Sequence, residues 1–173
     1  MNTFSIIIPT YHLLNDRYKI YFDKLIQSIS KNLQSPYTYK RFREIVVVND
    51  YPEEDIEEFV HSIFAKYAIP RSIIHNNQTN KGQGCSRNIG ADIASGNYLH
   101  FIDQDDYISS FFYSTLLRAI EIDNAQIAFS GLNLHNTNND KHFSPFRGKT
   151  IGLYANAKYL ADLKIFLLSN IAV

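Results

Sequence analysis

The hydrophobic positions of this chain fall into short apolar runs separated by longer amphipathic segments. The runs cover residues 4–8, 45–48, 71–75, 98–102 and 127–129, and most are rich in β-branched or aromatic residues. Continuous apolar runs of this length are typical of strands that are buried on both faces, as in a parallel sheet. The pattern therefore predicts five such strands.

The segments between the runs carry apolar residues at three- and four-residue intervals, which predicts amphipathic helices. The first has its stripe at Phe22, Leu25, Ile26, Ile29 and Leu33, with Pro36 as a stop signal. A second helix is predicted to open at Pro52 and the acidic residues 53–55. A third ends near Gly96, in a C-terminal cap position. A fourth covers residues 110–123, and residues 136–150 and 154–169 are predicted to be a loop and a last helix.

Strands that alternate with helices predict an α/β fold with a mostly parallel sheet and helices on both faces. The 173 residues suit one domain. The formal net charge is zero, which removes the electrostatic argument for nucleic acid as a partner. One cysteine, no signal peptide and no apolar stretch of roughly 20 residues predict a cytoplasmic protein.

The residues best suited to catalysis or ligand binding follow the predicted strands. Pro9, Thr10 and Tyr11 follow the first strand, Asp50 follows the second, and an acidic cluster (Asp103, Gln104, Asp105 and Asp106) follows the fourth. Ligands of open α/β sheets bind at the carboxyl ends of the strands. We therefore expect these three segments to meet at one edge of the sheet.

The acidic cluster places three carboxylates within four residues, and their mutual repulsion favours a bound cation. Oxygen ligands without a neighbouring histidine or cysteine favour Mg²⁺ or Mn²⁺ over zinc. The alternative is a solvated acidic turn in which Asp105 or Asp106 caps the next helix. Position alone does not separate the two interpretations.

The other candidates also have two interpretations. Asp50 is either a turn residue or a carboxylate that accepts the N3–H of a uracil ring. Tyr11 is either a packed aromatic residue or a ring that stacks on a base. Arg87 forms either a surface salt bridge or an anchor for phosphate oxygens.

Four segments, in this order and spacing, resemble the family 2 glycosyltransferases. They are residues 5–11 (SIIIPTY), 44–50 (EIVVVND), 80–90 (NKGQGCSRNIG) and 96–106 (GNYLHFIDQDD). Members of that family have the GT-A fold, which is Rossmann-like, and transfer sugars from nucleoside-diphosphate donors with inversion. The resemblance covers about residues 3–135. It implies a GT-A donor-binding core in residues 1–135 and, in residues 136–173, a loop and helix that lead toward an acceptor region.

The resemblance also implies roles for individual residues. Substrate binding would fall to Pro9, Thr10, Tyr11, Asp50, Arg87, Asp103 and Gln104, and metal binding to Asp105, with Asp106 as a second candidate. Pro9 and Tyr11 would line the base pocket, Asp103 would approach the ribose, and a general base is expected beyond residue 173. The donor would be a UDP-sugar, the cofactor Mn²⁺ or Mg²⁺, and the acceptor a saccharide or a lipid-linked glycan used in polysaccharide biosynthesis. The enzyme would be of the hexosyltransferase type and would work in the cytoplasm, at the inner face of the cell membrane.

The chain departs from the family pattern at the donor pocket. His12 stands where the family usually has asparagine, and Tyr51-Pro52 replaces a common Gly-Ser. No Gly-x-Gly-x-x-Gly motif follows the first strand, which argues against a dinucleotide-binding dehydrogenase. The remaining alternative is a non-catalytic module that binds a sugar nucleotide or serves as a scaffold.

Overall fold

The computed structural model describes residues 1–130, 134–136, 141–143 and 165–168 of the chain. Its strands are β1 (Phe4–Thr10), β2 (Phe42–Asn49), β3 (Ser72–Asn76), β4 (Tyr98–Phe101), β5 (Ala128–Phe129), β6 (Leu134–Asn136), β7 (Lys141–Phe143) and β8 (Ile165–Leu168). Its helices are α1 (Asp16–Leu33), α2 (Pro36–Tyr39), α3 (Glu57–Lys66), α4 (Gln83–Ile93) and α5 (Phe112–Asp123).

Six strands form one sheet in the order β3-β2-β1-β4-β8-β5, and all of its pairs are parallel. The predicted parallel sheet is confirmed. β6 and β7 form a separate antiparallel pair.

Helices cover both faces of the sheet, as predicted. Alternate residues of β1 point to opposite faces. On one face Ile6 and Ile8 pack into a core with the apolar stripes of α1, α3 and α5. On the other face Ile7 packs with Ile89 and Ala94, which belong to α4 and its C-terminal cap. None of the helices in the described ranges is long and apolar enough to cross a membrane.

β1 extends two residues beyond the predicted strand and includes Pro9. The carbonyl of Ile7 accepts a hydrogen bond from the N–H of Ile102. The backbone polar groups of Ile7, and of Pro9 two residues further on, therefore point toward β4. Pro9 lies beyond Ile7, the last β1 residue that pairs with β4. Its missing N–H therefore removes no hydrogen bond from the ladder.

The prediction that α3 opens at Pro52 is wrong, because the helix begins at Glu57. Glu54, in the segment before the helix, forms hydrogen bonds with other parts of the chain. Its carboxylate accepts the N–H of Leu14 at 3.0 Å, and its carbonyl accepts a hydrogen bond from Asn49 Nδ2 at 2.9 Å. These contacts hold the turn against the loop after β1 and the end of β2, and the helix begins about one turn later than predicted.

α4 ends at Ile93 and its C-cap is Ala94, so the prediction that Gly96 caps the helix is wrong. A Cβ at this position would lie 2.6 Å from the backbone nitrogen of Ser5. The residue is glycine because the chain passes directly against β1.

Three further segments differ from the sequence-based expectation. Pro36 does not only follow the first helix but opens α2 at its first turn. Ile165–Leu168 is a strand between β4 and β5, whereas the apolar spacing predicted a helix there. β6 and β7 overlap the predicted loop at 136–150. The rest of residues 136–173 lies outside the described part, and the division at residue 135 stays a prediction.

Candidate functional site

A cavity of about 470 Å³ lies at the carboxyl ends of β1, β2 and β4. The three segments that were expected to meet there do meet. The cavity is lined by Pro9, Thr10, Tyr11, Tyr18, Asp50, Asn80, Gly82, Gln83, Asp103, Gln104 and Asp105. Seven of these residues are sequence-predicted site residues. Arg87 and Asp106 are not among the lining residues.

Asp50 is held in place by the loop before α4. Its carboxylate accepts the backbone N–H groups of Lys81 and Gly82, each at 2.8 Å, and the side-chain amide of Asn77 at 2.7 Å. Burial would raise the pKa of Asp50, but these hydrogen bonds and one from Ser86 outweigh it and lower the pKa below its ordinary value. The carboxylate is therefore ionised and fixed in direction, and it is only 4% exposed.

The two backbone amides and Asn77 leave one acceptor position of the Asp50 carboxylate to the Ser86 hydroxyl. An ionised carboxylate has about four acceptor positions, and the backbone amides and Asn77 occupy three. A base placed in the cavity therefore competes with the Ser86 hydroxyl for the remaining position. The same carboxylate thus links the cavity to the loop that begins α4.

Gln104 connects the acidic cluster to the end of β1. Its Oε1 accepts the backbone N–H of Tyr11 and its Nε2 donates to the Tyr11 carbonyl, both at 2.9 Å. The residue lines the cavity but is 7% exposed. Sequence reasoning assigned Gln104 to substrate binding, whereas its amide is used mainly to position Tyr11.

Tyr11 belongs to an aromatic cluster at the rim of the cavity that also contains His12 and Tyr51. The Tyr11 ring meets the His12 and Tyr51 rings edge-on, at centroid distances of 4.5 and 5.1 Å, and the latter two rings lie 3.7 Å apart. His12 Nδ1 lies 3.5 Å from Glu54 Oε1. Tyr11 remains 45% exposed, so the alternative of a fully packed aromatic residue does not hold.

The two departures from the family pattern therefore contact each other. His12 has a φ of 51°, in the left-handed region that asparagine and histidine tolerate better than most residues. Asparagine also tolerates this conformation, so an asparagine at position 12 would need no change of the backbone. The Tyr51 side chain fills the space beside the His12 ring, which a glycine would leave open.

The structure gives the three acids of the cluster different surroundings. Asp103 Oδ1 accepts hydrogen bonds from Gln83 Nε2 at 2.8 Å and from Arg87 Nη2 at 2.5 Å. Asp105 is partly exposed and lines the cavity. Asp106 is 8% exposed and does not line it, so Asp105 is the better placed of the two metal candidates.

Arg87 forms an ion pair with Asp103 and so follows the alternative interpretation of a salt bridge. Its neighbour Gln83 contacts the same carboxylate, and sequence reasoning missed it, together with Tyr18, Asn80 and Gly82. Three of these four lie inside the motif at residues 80–90, which was the available signal. Tyr18 lies in the first turn of α1, and no motif marks it.

The residues present fit a divalent cation that arrives with a ligand. Among the described residues, no three His, Cys, Asp or Glu side chains gather into a metal-binding group. Asp103 is already neutralised by Arg87, which leaves Asp105 as the available carboxylate of the acidic cluster. Mg²⁺ keeps several waters and binds one or two carboxylates together with substrate phosphates. The donor set therefore suits a cation held jointly by Asp105 and a diphosphate.

Comparison with known proteins identifies the class. Residues 5–166 match the sequence profile of Glycosyl transferase family 2. The chain belongs to this family.

Individual relatives agree with this assignment. Glycosyltransferase GlyA of Streptococcus pneumoniae is 34% identical over 124 residues, which cover 72% of this chain and 16% of GlyA. Minor teichoic acid biosynthesis protein GgaB of Bacillus subtilis is 29% identical over 115 residues, 66% of this chain and 11% of GgaB. The chain thus spans only a small part of these relatives.

The fold agrees with solved structures of S. aureus TarS. A TarS fragment in complex with UDP-GlcNAc superposes with a TM-score of 0.57 at 24% sequence identity, over 77% of this chain and 34% of the TarS chain. A second TarS structure holds UDP and matches with the same TM-score. The similarity confirms the GT-A type of α/β fold.

Proposed function

We propose that this chain is the donor-binding part of a glycosyltransferase. The enzyme transfers a hexose from a nucleoside diphosphate to a saccharide or lipid-linked acceptor. The main support is the cavity, which brings Tyr11, Asp50 and Asp105 together at the carboxyl edge of the sheet. Family membership and the UDP and UDP-GlcNAc complexes of TarS favour UDP as the nucleotide. The name of GgaB favours a surface polysaccharide as the product.

Each cavity wall suits one part of the donor. The exposed Tyr11 ring offers a face for the base, and the ionised Asp50 accepts its imide N–H. Pro9 and Thr10 form the floor at the end of β1. Asp103, oriented by Gln83 and Arg87, is assigned to the ribose, whose hydroxyl would donate to its second oxygen.

Asp105 is assigned to the divalent cation, Mg²⁺ or Mn²⁺. When bound, the cation would stabilise the negative charge that develops on the departing diphosphate. The acceptor hydroxyl attacks the anomeric carbon with inversion and loses its proton to a general base. We assign none of the described residues to that base.

The test is the thermal stability of the chain with UDP and Mn²⁺, compared with UDP and chelator and with GDP and Mn²⁺. Ligand at 100 times its Kd stabilises by about 2.7 kcal/mol, which for this size raises Tm by roughly 5–11 °C. Asp105→Ala should abolish the increase. Asp123→Ala, at an exposed position at the end of α5, is the matched control and should keep it.

Two outcomes would contradict the proposal. One is a folded chain that no nucleotide stabilises, and the other is a shift that is equal in Asp105→Ala and in the parent. Donor hydrolysis separates an enzyme from a non-catalytic sugar-nucleotide module, since a competent site releases some sugar to water and a binding module releases none.

A further inference from the structure

A second cavity, of about 440 Å³, lies between α1 and the segment that follows the acidic cluster. Five residues of α1 and the four residues 107–110 line it. The α1 residues recur at positions i, i+3, i+4, i+7 and i+8, so they share one face of the helix. They are Lys24, Gln27, Ser28, Lys31 and Asn32.

The cavity carries positive charge that no acidic group neutralises. Lys24 and Lys31 are exposed, and neither forms an ion pair within the described ranges, whereas Lys19 and Lys66 pair with aspartates. None of the lining residues carries a carboxylate. The net charge of zero describes the whole chain and does not describe this surface.

Uncommitted hydrogen-bond donors accompany the two lysines. No hydrogen bond to another described residue uses the side chains of Gln27, Ser109 or Ser110. By contrast, Asn32 and Ser28 bind the 107–113 segment: Asn32 Nδ2 donates to the Ser109 carbonyl at 3.0 Å, and Ser28 Oγ accepts the N–H of Ile108 at 3.2 Å. The wall is thus fixed by Ser28 and Asn32, while the side chains of Gln27, Ser109 and Ser110 remain available to a ligand.

The second cavity is joined to the first by one continuous segment. Asp103, Gln104 and Asp105 line the first cavity, and the next lining residues, from Tyr107, belong to the second. α1 also reaches both, through Tyr18 and Lys24. These two residues are six positions apart on the helix, a distance of about 9 Å along the axis.

We propose that the second cavity binds the phosphodiester groups of an anionic acceptor whose reacting end extends into the first cavity. This inference rests on the proposed glycosyl transfer. Two ammonium groups about two turns apart on one helix face, with amide and hydroxyl donors between them, suit phosphate oxygens. Lys24 and Lys31 are about 10 Å apart along the helix axis, which favours a ligand with more than one phosphate over a single small anion.

The experiment measures binding of the chain to an oligomer of glycerol phosphate, with a neutral oligosaccharide of similar length as reference. A second arm uses vesicles of phosphatidylglycerol and phosphatidylcholine, against phosphatidylcholine alone. The double variant Lys24→Gln/Lys31→Gln should weaken binding about tenfold, and added salt should weaken binding of the parent chain. Lys40→Gln, another exposed lysine outside the cavity, should leave binding unchanged.

The two arms of the experiment distinguish the possible sources of the phosphate. They also test the two proposals separately. Binding to the oligomer assigns the site to a soluble or polymeric acceptor, and binding to the vesicles alone assigns it to a lipid headgroup. Equal binding by the double variant and the parent, or no binding in either arm, overturns the inference. The double variant should keep the UDP-dependent rise in Tm. If the parent chain lacks that rise, the proposed function fails, whatever the phosphate arms show.

Discussion

The two ends of β2 each carry a buried carboxylate, and the comparison shows what separates a structural site from a binding site. At the amino end Glu44 accepts hydrogen bonds from the hydroxyl of Ser5 and from both the N–H and the hydroxyl of Ser95. At the carboxyl end Asp50 accepts from Asn77 and two backbone amides. Both pKa values are lowered, because these donors outweigh the effect of burial.

The difference lies in what surrounds the two carboxylates. Glu44 lies beside a register irregularity between Phe4 and Ile6, and the Ser5 hydroxyl that donates to it accepts the N–H of Gly96. Glu44 lines neither of the two cavities described above. Asp50 borders the 470 Å³ cavity and is held by the loop between β3 and α4. We therefore expect changes at the amino end to affect stability and changes at the carboxyl end to affect binding.

The largest expected effect is that of Gly96→Ala. The new Cβ would collide with the Ser5 backbone, which cannot rotate away, so the free energy of unfolding should fall by about 3 kcal/mol or more. Urea denaturation measures it. Gly84→Ala is the control: its Cβ meets nothing within 4 Å and the helix should gain up to about 1 kcal/mol. Equal effects of the two substitutions would refute the close-approach explanation.

Glu44→Gln should lower the free energy of unfolding by about 2 kcal/mol and leave UDP affinity unchanged. The folded pKa of Glu44 lies below its ordinary value of 4.5. Its contribution is therefore complete above about pH 4.5 and is lost as the pH falls through the folded pKa. The variant should lose less stability than the parent over that acidic range. Glu58→Gln, at an exposed position, should follow the parent's pH profile.

At the carboxyl end, Gln104→Ala should weaken UDP binding about tenfold, because Tyr11 loses both backbone hydrogen bonds that fix its position. Isothermal titration with UDP and Mn²⁺ measures the effect. Gln126→Ala, exposed and remote in the sequence from the cavity segments, serves as control. An unchanged affinity in Gln104→Ala would mean that the amide is only a structural link.

Most of the fold was predictable from sequence, because strands buried on both faces of a parallel sheet appear as continuous apolar runs. The strands β1 to β4 and the stripes of α1 and α3 are visible as apolar runs and spacings. The strand at Ile165–Leu168 was missed, since a short apolar run inside a helix-like spacing does not reveal which partner it pairs with. Its pairing with β4 and β5, which are distant in the sequence, makes this segment a strand.

The site residues were predictable where a charged side chain directly follows a strand. Asp50, Asp103 and Asp105 follow from the rule that ligands bind at the carboxyl edge. The use of Gln104 to hold Tyr11 was not predictable, because its partner lies 93 residues away. The contact of His12 with Tyr51 was hidden for the same reason: each departure looks independent in the sequence.

The smallest expected effect concerns His12. His12→Asn should change the free energy of unfolding by less than about 0.5 kcal/mol, because asparagine tolerates the left-handed backbone, whereas His12→Val should cost about 1 kcal/mol or more. Thermal denaturation of the pair measures the difference. If valine is tolerated as well as asparagine, the backbone conformation at residue 12 does not select the side chain.

The position of β8 has a consequence for the order in which the protein folds as it leaves the ribosome. Strands β1 to β4 are complete once residue 101 has emerged, but β5 pairs only with β8 among the described strands. At roughly 5–20 residues per second, the edge of β4 waits several seconds for residues 165–168. During that interval its unpaired backbone groups are a template for other extended chains, so the nascent chain is most prone to aggregate before β8 emerges.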